Sequence, residues 1–222
     1  MAKLSNSYAQ LPDRFFEKSS PEKFPNSTLI AFNSELAKEI GLKLQEDDLV
    51  KIFSGQELIN GLTPIATAYA AHQFGHFVPQ LGDGRAHLLG DINGVDIQLK
   101  GSGRSRFSRN GDGFSALGPV IREYIVSEAM HQLGVPTTRA LAAVSTGETV
   151  YRDRALPGGI FTRVASSHIR VGTFQYFAAR EDLDGLEILM NYAIKRHYPQ
   201  LLKVTDQAER TLEFIKSVAE AQ

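Results

Sequence analysis

The amino-acid sequence predicts an α+β fold, in which a glycine-rich β lobe with one helix packed on it is followed by the start of a helical lobe. Two observations carry this prediction. Ten of the 19 glycines lie between Gly75 and Gly118, among short apolar runs that are typical of strands. From about Thr173 onward, in contrast, the pattern is helical.

The composition is that of an ordinary globular protein, with 222 residues, 42% hydrophobic and 22% charged. The lack of cysteine excludes disulfide scaffolds, thiolate zinc sites and cysteine nucleophiles. A formal net charge of −1 argues against a nucleic-acid-binding protein, which would carry a basic excess. No apolar run approaches the roughly 20 residues that cross a bilayer, and residues 1–16 lack a signal-peptide core. We therefore expect a soluble, cytoplasmic protein that binds neither nucleic acid nor membranes.

The segment 1–75 is predicted to be an N-terminal extension, irregular with a few short helices. Asn33 or Ser34 can cap a first helix, and Gly41 is placed to end it. The pattern favours further helices over 47–53 and from Thr63 to Gln73, where alanine is frequent.

The segment 76–170 is predicted to be the β lobe, and its clearest signal is a hairpin. Apolar runs at 86–92 and 95–100 flank the dipeptide Asn93-Gly94, which favours a two-residue turn. The hairpin would place Lys100 at the end of a strand. Residues 171–222 would then begin a helical lobe and leave it incomplete.

The remainder of the β lobe is expected to hold one helix between Pro119 and Gly134, then a second hairpin. The hairpin strands are predicted at 139–145 and 148–152, and a short strand at 160–165 follows Pro-Gly-Gly. Apolar residues of the helix recur every three or four positions and are expected to form its buried face: Ile121, Tyr124, Ile125, Ala129 and Leu133.

Two glycine-rich segments indicate anion binding. Gly82, Asp83, Gly84 and Arg85 combine close backbone approach with a guanidinium group; a tight turn with a surface arginine is the alternative. The stretch 100–113 holds four cations within its first ten residues and continues into Asn-Gly-Asp-Gly. It matches neither a Walker A loop nor a dinucleotide fingerprint. We interpret it as a polyphosphate cradle, the alternative being a solvated basic loop.

Lys100 and Glu123 have the arrangement of the protein-kinase ion pair, in which a strand-end lysine is held by a glutamate on the following helix. Glu128 is a competing partner for the same lysine. Arg163 and Arg170 flank a Ser-Ser-His segment and could close on a terminal phosphate. The alternative is that both arginines are simply exposed.

Several longer segments resemble the selenoprotein O family, in order and most closely between Leu62 and Ala178. The segments that carry the resemblance are 72–75 (HQFG), 79–86 (PQLGDGRA), 98–103 (QLKGSG), 108–113 (SRNGDG), 121–131 (IREYIVSEAMH), 134–141 (GVPTTRAL), 144–148 (VSTGE) and 162–174 (TRVASSHIRVGTF).

This resemblance implies a protein-kinase-like fold and a protein adenylyltransferase, which moves AMP from ATP to Ser, Thr or Tyr hydroxyls of other proteins with Mg²⁺ or Mn²⁺. It implies that ATP binds in a flipped orientation, with its α-phosphate facing the acceptor. Glu123 would orient Lys100. The residues implied to contact the nucleotide are Gly82, Gly84, Arg85, Lys100, Asp112, Gly113, Arg163 and Arg170.

The family's catalytic base, its metal-binding Asn and Asp, and its redox-active cysteine or selenocysteine lie further downstream than this sequence reaches. We therefore expect no catalytic or metal-ligating residue here, an N-terminal portion with little transferase activity alone, and self-association through an exposed lobe interface. An ATP-dependent phosphotransferase lobe and a non-enzymatic nucleotide-binding or interaction fragment remain alternatives.

Overall fold

The computed structural model describes residues 4–59 and 62–221. Within these ranges the chain is a mixed α/β protein with a nine-stranded antiparallel sheet, a separate two-stranded hairpin and six α-helices. The coarse prediction of strands and helices in one mixed fold is confirmed. No described helix is both long and apolar enough to cross a bilayer.

In the part of the chain that the structure describes, eleven strands are distributed along the first three quarters. They are β1 (Leu4–Ser5), β2 (Phe16–Lys18), β3 (Thr28–Phe32), β4 (Ile65–Thr67), β5 (Ala71–Gln73), β6 (His76–Val78), β7 (Ala86–Ile92), β8 (Val95–Lys100), β9 (Ser115–Ala116), β10 (Arg139–Tyr151) and β11 (Ala155–Ala165). The large sheet has the order β2-β4-β7-β8-β11-β10-β3, with β1 added to β7 and β9 to β11. Among the strands of the described residues, β5 and β6 pair only with each other.

Six helices surround the sheet. They are α1 (Ser34–Ile40), α2 (Glu46–Phe53), α3 (Leu117–Gln132), α4 (Val171–Ala178), α5 (Leu183–His197) and α6 (Gln207–Glu220). The predicted helical run toward the end of the chain is confirmed by α4, α5 and α6. Strands β1, β2 and β3 join the same sheet as the β lobe, although this part of the chain was expected to be irregular. The three-part division of the chain stays a prediction.

The predicted central hairpin is confirmed. β7 and β8 pair directly, and Asn93 and Gly94 both have positive φ angles, 52° and 81°. A turn of this kind requires left-handed backbone at both central positions, and Asn-Gly is the dipeptide that adopts it at least cost. The hairpin makes Lys100 the last residue of a central strand, which places its side chain at one end of the sheet.

The predicted second hairpin is wrong, because β10 and β11 form one long hairpin that turns at 152–154. Thr146 and Gly147 lie inside β10 at a bulge, where the register shifts between Ser145 and Thr149. Glycine with positive φ serves a bulge as well as a turn, so the dipeptide alone does not distinguish them. The Pro-Gly-Gly segment likewise lies within β11.

The predicted helix over Thr63–Gln73 is also wrong. β4 and β5 occupy this segment, and β4 is completely buried between β2 and β7. Alanine favours a helix in isolation, but sheet pairing and burial override that local preference here.

The first two helices form as predicted. The side chain of Asn33 accepts a hydrogen bond from the Leu36 amide at 3.0 Å, and Gly41 ends α1 with a φ of 79°. Together α1 and α2 cover one face of the sheet, where Ile97 and Leu99 of β8 are fully buried.

α3 forms where it was predicted, but the face assigned to it is wrong. Val120 is buried and Tyr124 packs with it against Phe161, whereas Ile125 is 60% and Leu133 is 80% exposed. The helix instead turns two acidic side chains toward the sheet. The face of α3 that packs on the sheet is therefore the one whose carboxylates find partners there, and not the one with the largest apolar residues.

The helical region is joined to the sheet by close backbone contact and by buried charge. The amide of Ala70 donates to the carbonyl of Gly172 at 2.8 Å, and a Cβ at position 172 would lie 1.8 Å from the carbonyl oxygen of Ala70. Arg196 of α5 donates to Asp96 of β8 at 2.6 Å and to two backbone carbonyls of the sheet region. α4 and α5 are therefore held against the sheet.

We predict that Glu128→Gln destabilises the fold by about 1–3 kcal/mol, because hydrogen bonds to a charged group are lost or weakened. Glu128 accepts two hydrogen bonds from Arg139 and one from the Ala140 amide, which attach α3 to β10. Urea unfolding measures the loss. Glu148→Gln, at an exposed residue, is the matched control, and equal stability of both variants would contradict the prediction.

Candidate functional site

An open cleft of about 730 Å³ lies at the end of β7 and β8, beside the start of α4. Its walls come from the segment before β7, the loop after β8 and the turn between β10 and β11. All eight residues that the resemblance implies for nucleotide contact line this one cleft: Gly82, Gly84, Arg85, Lys100, Asp112, Gly113, Arg163 and Arg170. They come from five separate parts of the chain, which only the tertiary fold brings together.

The glycines before β7 allow two loops to approach closely. A Cβ on Gly82 would lie 2.2 Å from the ring of Phe107, and one on Gly84 would lie 2.7 Å from the carbonyl oxygen of the same residue. Gly82 also has a φ of 62°, which side-chain-bearing residues rarely adopt. The segment therefore forms a cleft wall made of backbone, against which the loop after β8 rests.

Asp83 was not singled out as a functional residue, yet it lies at the base of the cleft with only 1% of its surface exposed. One carboxylate oxygen accepts hydrogen bonds from the amide and hydroxyl of Thr67 and from Gln98. The other oxygen has no hydrogen-bond partner among the described residues and lies 3.8 Å from the Arg170 guanidinium. Its position between two glycines was the available signal in the sequence.

Glu123 joins two of the cations. Its carboxylate contacts Lys100 Nζ at 2.5 Å and Arg163 Nη1 at 3.6 Å. Glu128, the competing partner considered for Lys100, binds Arg139 instead. Burial lowers the pKa of Lys100 more than the hydrogen bond to Glu123 raises it, and the nearby positive charge of Arg163 lowers it further.

The two arginines are held in different ways. Arg163 donates to the side-chain oxygen of Gln98 from Nε at 2.9 Å and from Nη2 at 2.6 Å. Burial and the positive charge of Arg170 lower the pKa of Arg163. Arg170 lies over the ring of Tyr69, 4.2 Å from its centroid. Burial, together with the charge of Asp83, raises the pKa of Tyr69 to about 12, so this phenol is neutral at physiological pH.

The basic loop after β8 contributes less to the cleft than the sequence suggested. Of its three arginines, Arg109 lines the cleft, whereas Arg104 and Arg106 do not. Arg104 donates to the carbonyl of Arg109, and Arg106 lies 4.8 Å from the ring centroid of Phe107. Of the four cations predicted to form one cradle, Lys100 and Arg109 line the cleft and the other two do not.

Asp112 is bound by Arg152, which the sequence did not indicate. Arg152 Nη1 and Nη2 donate to the two carboxylate oxygens at 2.7 and 3.1 Å. The hydrogen bonds from Arg152 lower the pKa of Asp112. The pairing was missed because the turn that presents Arg152 was predicted at a different place.

The described residues do not by themselves fit a divalent metal ion. Between 4–59 and 62–221, no three His, Asp or Glu side chains come together in a way that could hold one. Of the two cleft carboxylates, Asp112 is bound by Arg152, and one oxygen of Asp83 accepts hydrogen bonds from Thr67 and Gln98.

Comparison with known proteins decides the family. The family model described as "Protein adenylyltransferase SelO" matches residues 1–222. The chain belongs to the SelO family. This confirms the resemblance to selenoprotein O that the sequence motifs carry.

Several curated relatives of this SelO-family chain are bacterial proteins named "Protein nucleotidyltransferase YdiU". The relative from Rhizobium rhizogenes is 59% identical, over 99% of this chain and 44% of the relative. Those from Rhizobium meliloti and Nitrosococcus oceani are 55% and 53% identical, each over 99% of this chain and 46% and 45% of the relative. The chain spans less than half the length of these relatives.

We predict that the His87 ring stays neutral to about pH 4. Burial lowers its pKa from 6.5 to about 4, and its ring nitrogens contact the hydroxyls of Ser102 and Ser19 at 2.7 and 3.1 Å. Because the folded-state pKa is depressed, the stability that His87 contributes is complete above pH 6.5 and is lost as the pH falls toward 4.

An NMR titration of the imidazole rings tests this prediction. A midpoint for His87 close to about 6.5, the value of an unperturbed histidine, would refute the prediction.

Proposed function

We propose that the cleft binds the triphosphate of ATP as part of a protein adenylyltransferase. The observation that carries the proposal is the convergence of cationic side chains on one cleft with a glycine backbone wall: Arg85, Lys100, Arg109, Arg163 and Arg170. Arginine and lysine donors combined with close backbone approach suit a polyphosphate. Arg85 is exposed, and its guanidinium makes no hydrogen bond or ion pair with the described part of the chain, so its donors are free for a ligand.

The balance of charge in the cleft favours an anion with several charges. Burial and the positive charges of Arg163 and Arg85 lower the pKa of Lys100, and burial and the charge of Arg170 lower that of Arg163. Burial is the larger cause for both groups, and repulsion from neighbouring cations adds to it. A triphosphate in contact with them would relieve this repulsion.

The group that is transferred, and its acceptor, are inferred from the family. The matching family is described as a protein adenylyltransferase, and the relatives are named protein nucleotidyltransferases. The contact between Lys100 at the end of β8 and Glu123 on α3 is the arrangement that holds nucleotide phosphates in protein kinases, which supports a kinase-like lobe. We propose that AMP is passed from ATP to hydroxyl side chains of proteins.

The cleft is suited to binding rather than to proton transfer. Asp112 is held by Arg152, and Asp83 is buried and accepts three hydrogen bonds. Neither carboxylate is placed to take a proton from an incoming hydroxyl. We therefore propose that the 222-residue chain binds ATP but has little transferase activity alone.

We predict that Arg85→Gln and Lys100→Met each weaken ATP binding about tenfold or more, because each removes a charge-assisted contact to phosphate. Calorimetric titration measures the dissociation constants. Lys195→Gln, at an exposed lysine of α5 away from the cleft, is the matched control. Undiminished binding by both cleft variants would refute the proposed phosphate site.

The proposed reaction is separated from phosphotransfer by the position of the label. In a complete SelO-family enzyme that contains this region, protein should gain label from [α-³²P]ATP, and the substitution equivalent to Lys100→Met should abolish that gain. Label from [γ-³²P]ATP instead would establish the phosphotransferase alternative. Tight ATP binding with neither label transferred would favour a non-enzymatic binding module.

A further inference from the structure

We propose that a second cavity, next to the cleft, binds a small organic anion that carries an apolar group. The cavity has a volume of about 500 Å³, which is within the range typical of small-molecule sites. Its walls come from β9, the first half of α3 and the hairpin of β10 and β11. Arg85, Lys100 and Arg152 line both cavities, whereas Ser115 and Arg122 line only the second.

Two polar side chains that belong only to the second cavity lack a hydrogen-bond or ion-pair partner among the described residues. Arg122 is exposed, and its guanidinium contacts no acceptor there. Ser115 is only 6% exposed, and its hydroxyl makes no hydrogen bond in the same part of the chain. A serine hydroxyl in a protein interior normally has a partner. The missing partner at Ser115, which lines the cavity, therefore points to a ligand.

The start of α3 lies at the same cavity and favours an anion there. Ala116 precedes the helix, so no side chain caps it, and the first turn contains no acidic residue. The first amides of a helix have no partner within it, and this end of the helix dipole is positive. Ala116, Pro119 and Val120, from around the helix start, all line the cavity. The helix end and the unpartnered Ser115 hydroxyl thus favour the same class of ligand.

The charged groups around the cavity give a positive excess. Among the described residues that line it, Glu123 is the acid, and the cations are Arg85, Lys100, Arg122 and Arg152. Lys100 already contacts Glu123, and Arg152 is bound by a carboxylate of the cleft. Arg85 is shared with the cleft. The guanidinium of Arg122 is therefore the cation that remains for a ligand of this cavity alone.

The rest of the cavity wall is apolar and determines the other half of the ligand. Val120 and Phe161 are buried, and Val126 and Leu156 extend the same wall. An apolar group placed against these side chains leaves water, which is favourable in proportion to the area buried. A bare inorganic anion would leave this wall uncovered. The cavity is thus suited to an anion joined to an apolar group.

An NMR titration of the ¹⁵N-labelled 222-residue chain tests the proposal with phenyl phosphate, which joins an anion to an apolar ring. The amides of Gly118 and Arg122 should shift and saturate, and inorganic phosphate should bind about tenfold more weakly. Arg122→Gln should weaken phenyl phosphate binding about tenfold and Ser115→Ala about threefold. Arg109→Gln is the matched control, because this exposed arginine lines only the cleft and should change nothing.

Thermal melts verify that each variant is folded, and four outcomes would overturn the proposal. One is the absence of saturable shifts with phenyl phosphate. Another is a response confined to cleft amides such as those of Gly82 and Gly111, with a loss of binding in Arg109→Gln. The third is unchanged binding in the folded Arg122→Gln and Ser115→Ala variants. The last is equal affinity for inorganic phosphate, which would leave the apolar wall without a role.

A tripeptide with a central phosphotyrosine distinguishes a free small molecule from a protein side chain as the source of the anion. It carries the same phosphorylated ring on a peptide backbone. We expect it to bind no more tightly than phenyl phosphate, and markedly tighter binding would overturn the assignment to a small molecule. Because the proposal does not depend on ATP, loss of the proposed triphosphate site would leave it standing, and its own failure would leave that site untouched.

Discussion

The structure depends on providing hydrogen-bond and ion-pair partners for a row of polar side chains on its central strand. Because residues alternate between the faces of a sheet, Asp96, Gln98 and Lys100 of β8 share one face, while Ile97 and Leu99 enter the core on the other. A buried polar group left without a partner costs about 1–3 kcal/mol. Each of the three is satisfied from a different element: an arginine of α5, an arginine of β11 and a glutamate of α3. The helices and the neighbouring strand are thereby placed relative to β8 by one set of contacts.

The same contacts build the cleft, so stability and binding share residues. Arg163 is fixed by Gln98 and by Glu123 and still lines the cleft. Gln98 also donates to Asp83, which lies 3.8 Å from the Arg170 guanidinium. Arg163 and Arg170 are therefore held before any ligand arrives, and little ordering of these two side chains remains to oppose binding.

The parts of the fold that were predicted correctly have a local cause. The Asn-Gly turn and the cap of α1 by Asn33 depend on a few adjacent residues. The wrong predictions concern features that depend on residues far away in the sequence. The bulge at Gly147 faces Asn26, and the face of α3 that packs on the sheet is set by the ion pairs of this helix with the sheet. The family motifs named the cleft residues from the sequence alone, whereas the role of Arg152 becomes visible only in its tertiary contact with Asp112.

The cation cluster has a kinetic consequence. The whole chain carries a formal charge of only −1, so it exerts almost no long-range pull on an anion. Within the cleft, however, the exposed Arg85 creates a local positive field beside a backbone wall. Screening acts over about 8 Å at physiological ionic strength, which is comparable to the reach of this field. Added salt should therefore slow the capture of a polyphosphate more than it speeds its release, since the paired, partly buried cations inside are shielded from mobile ions.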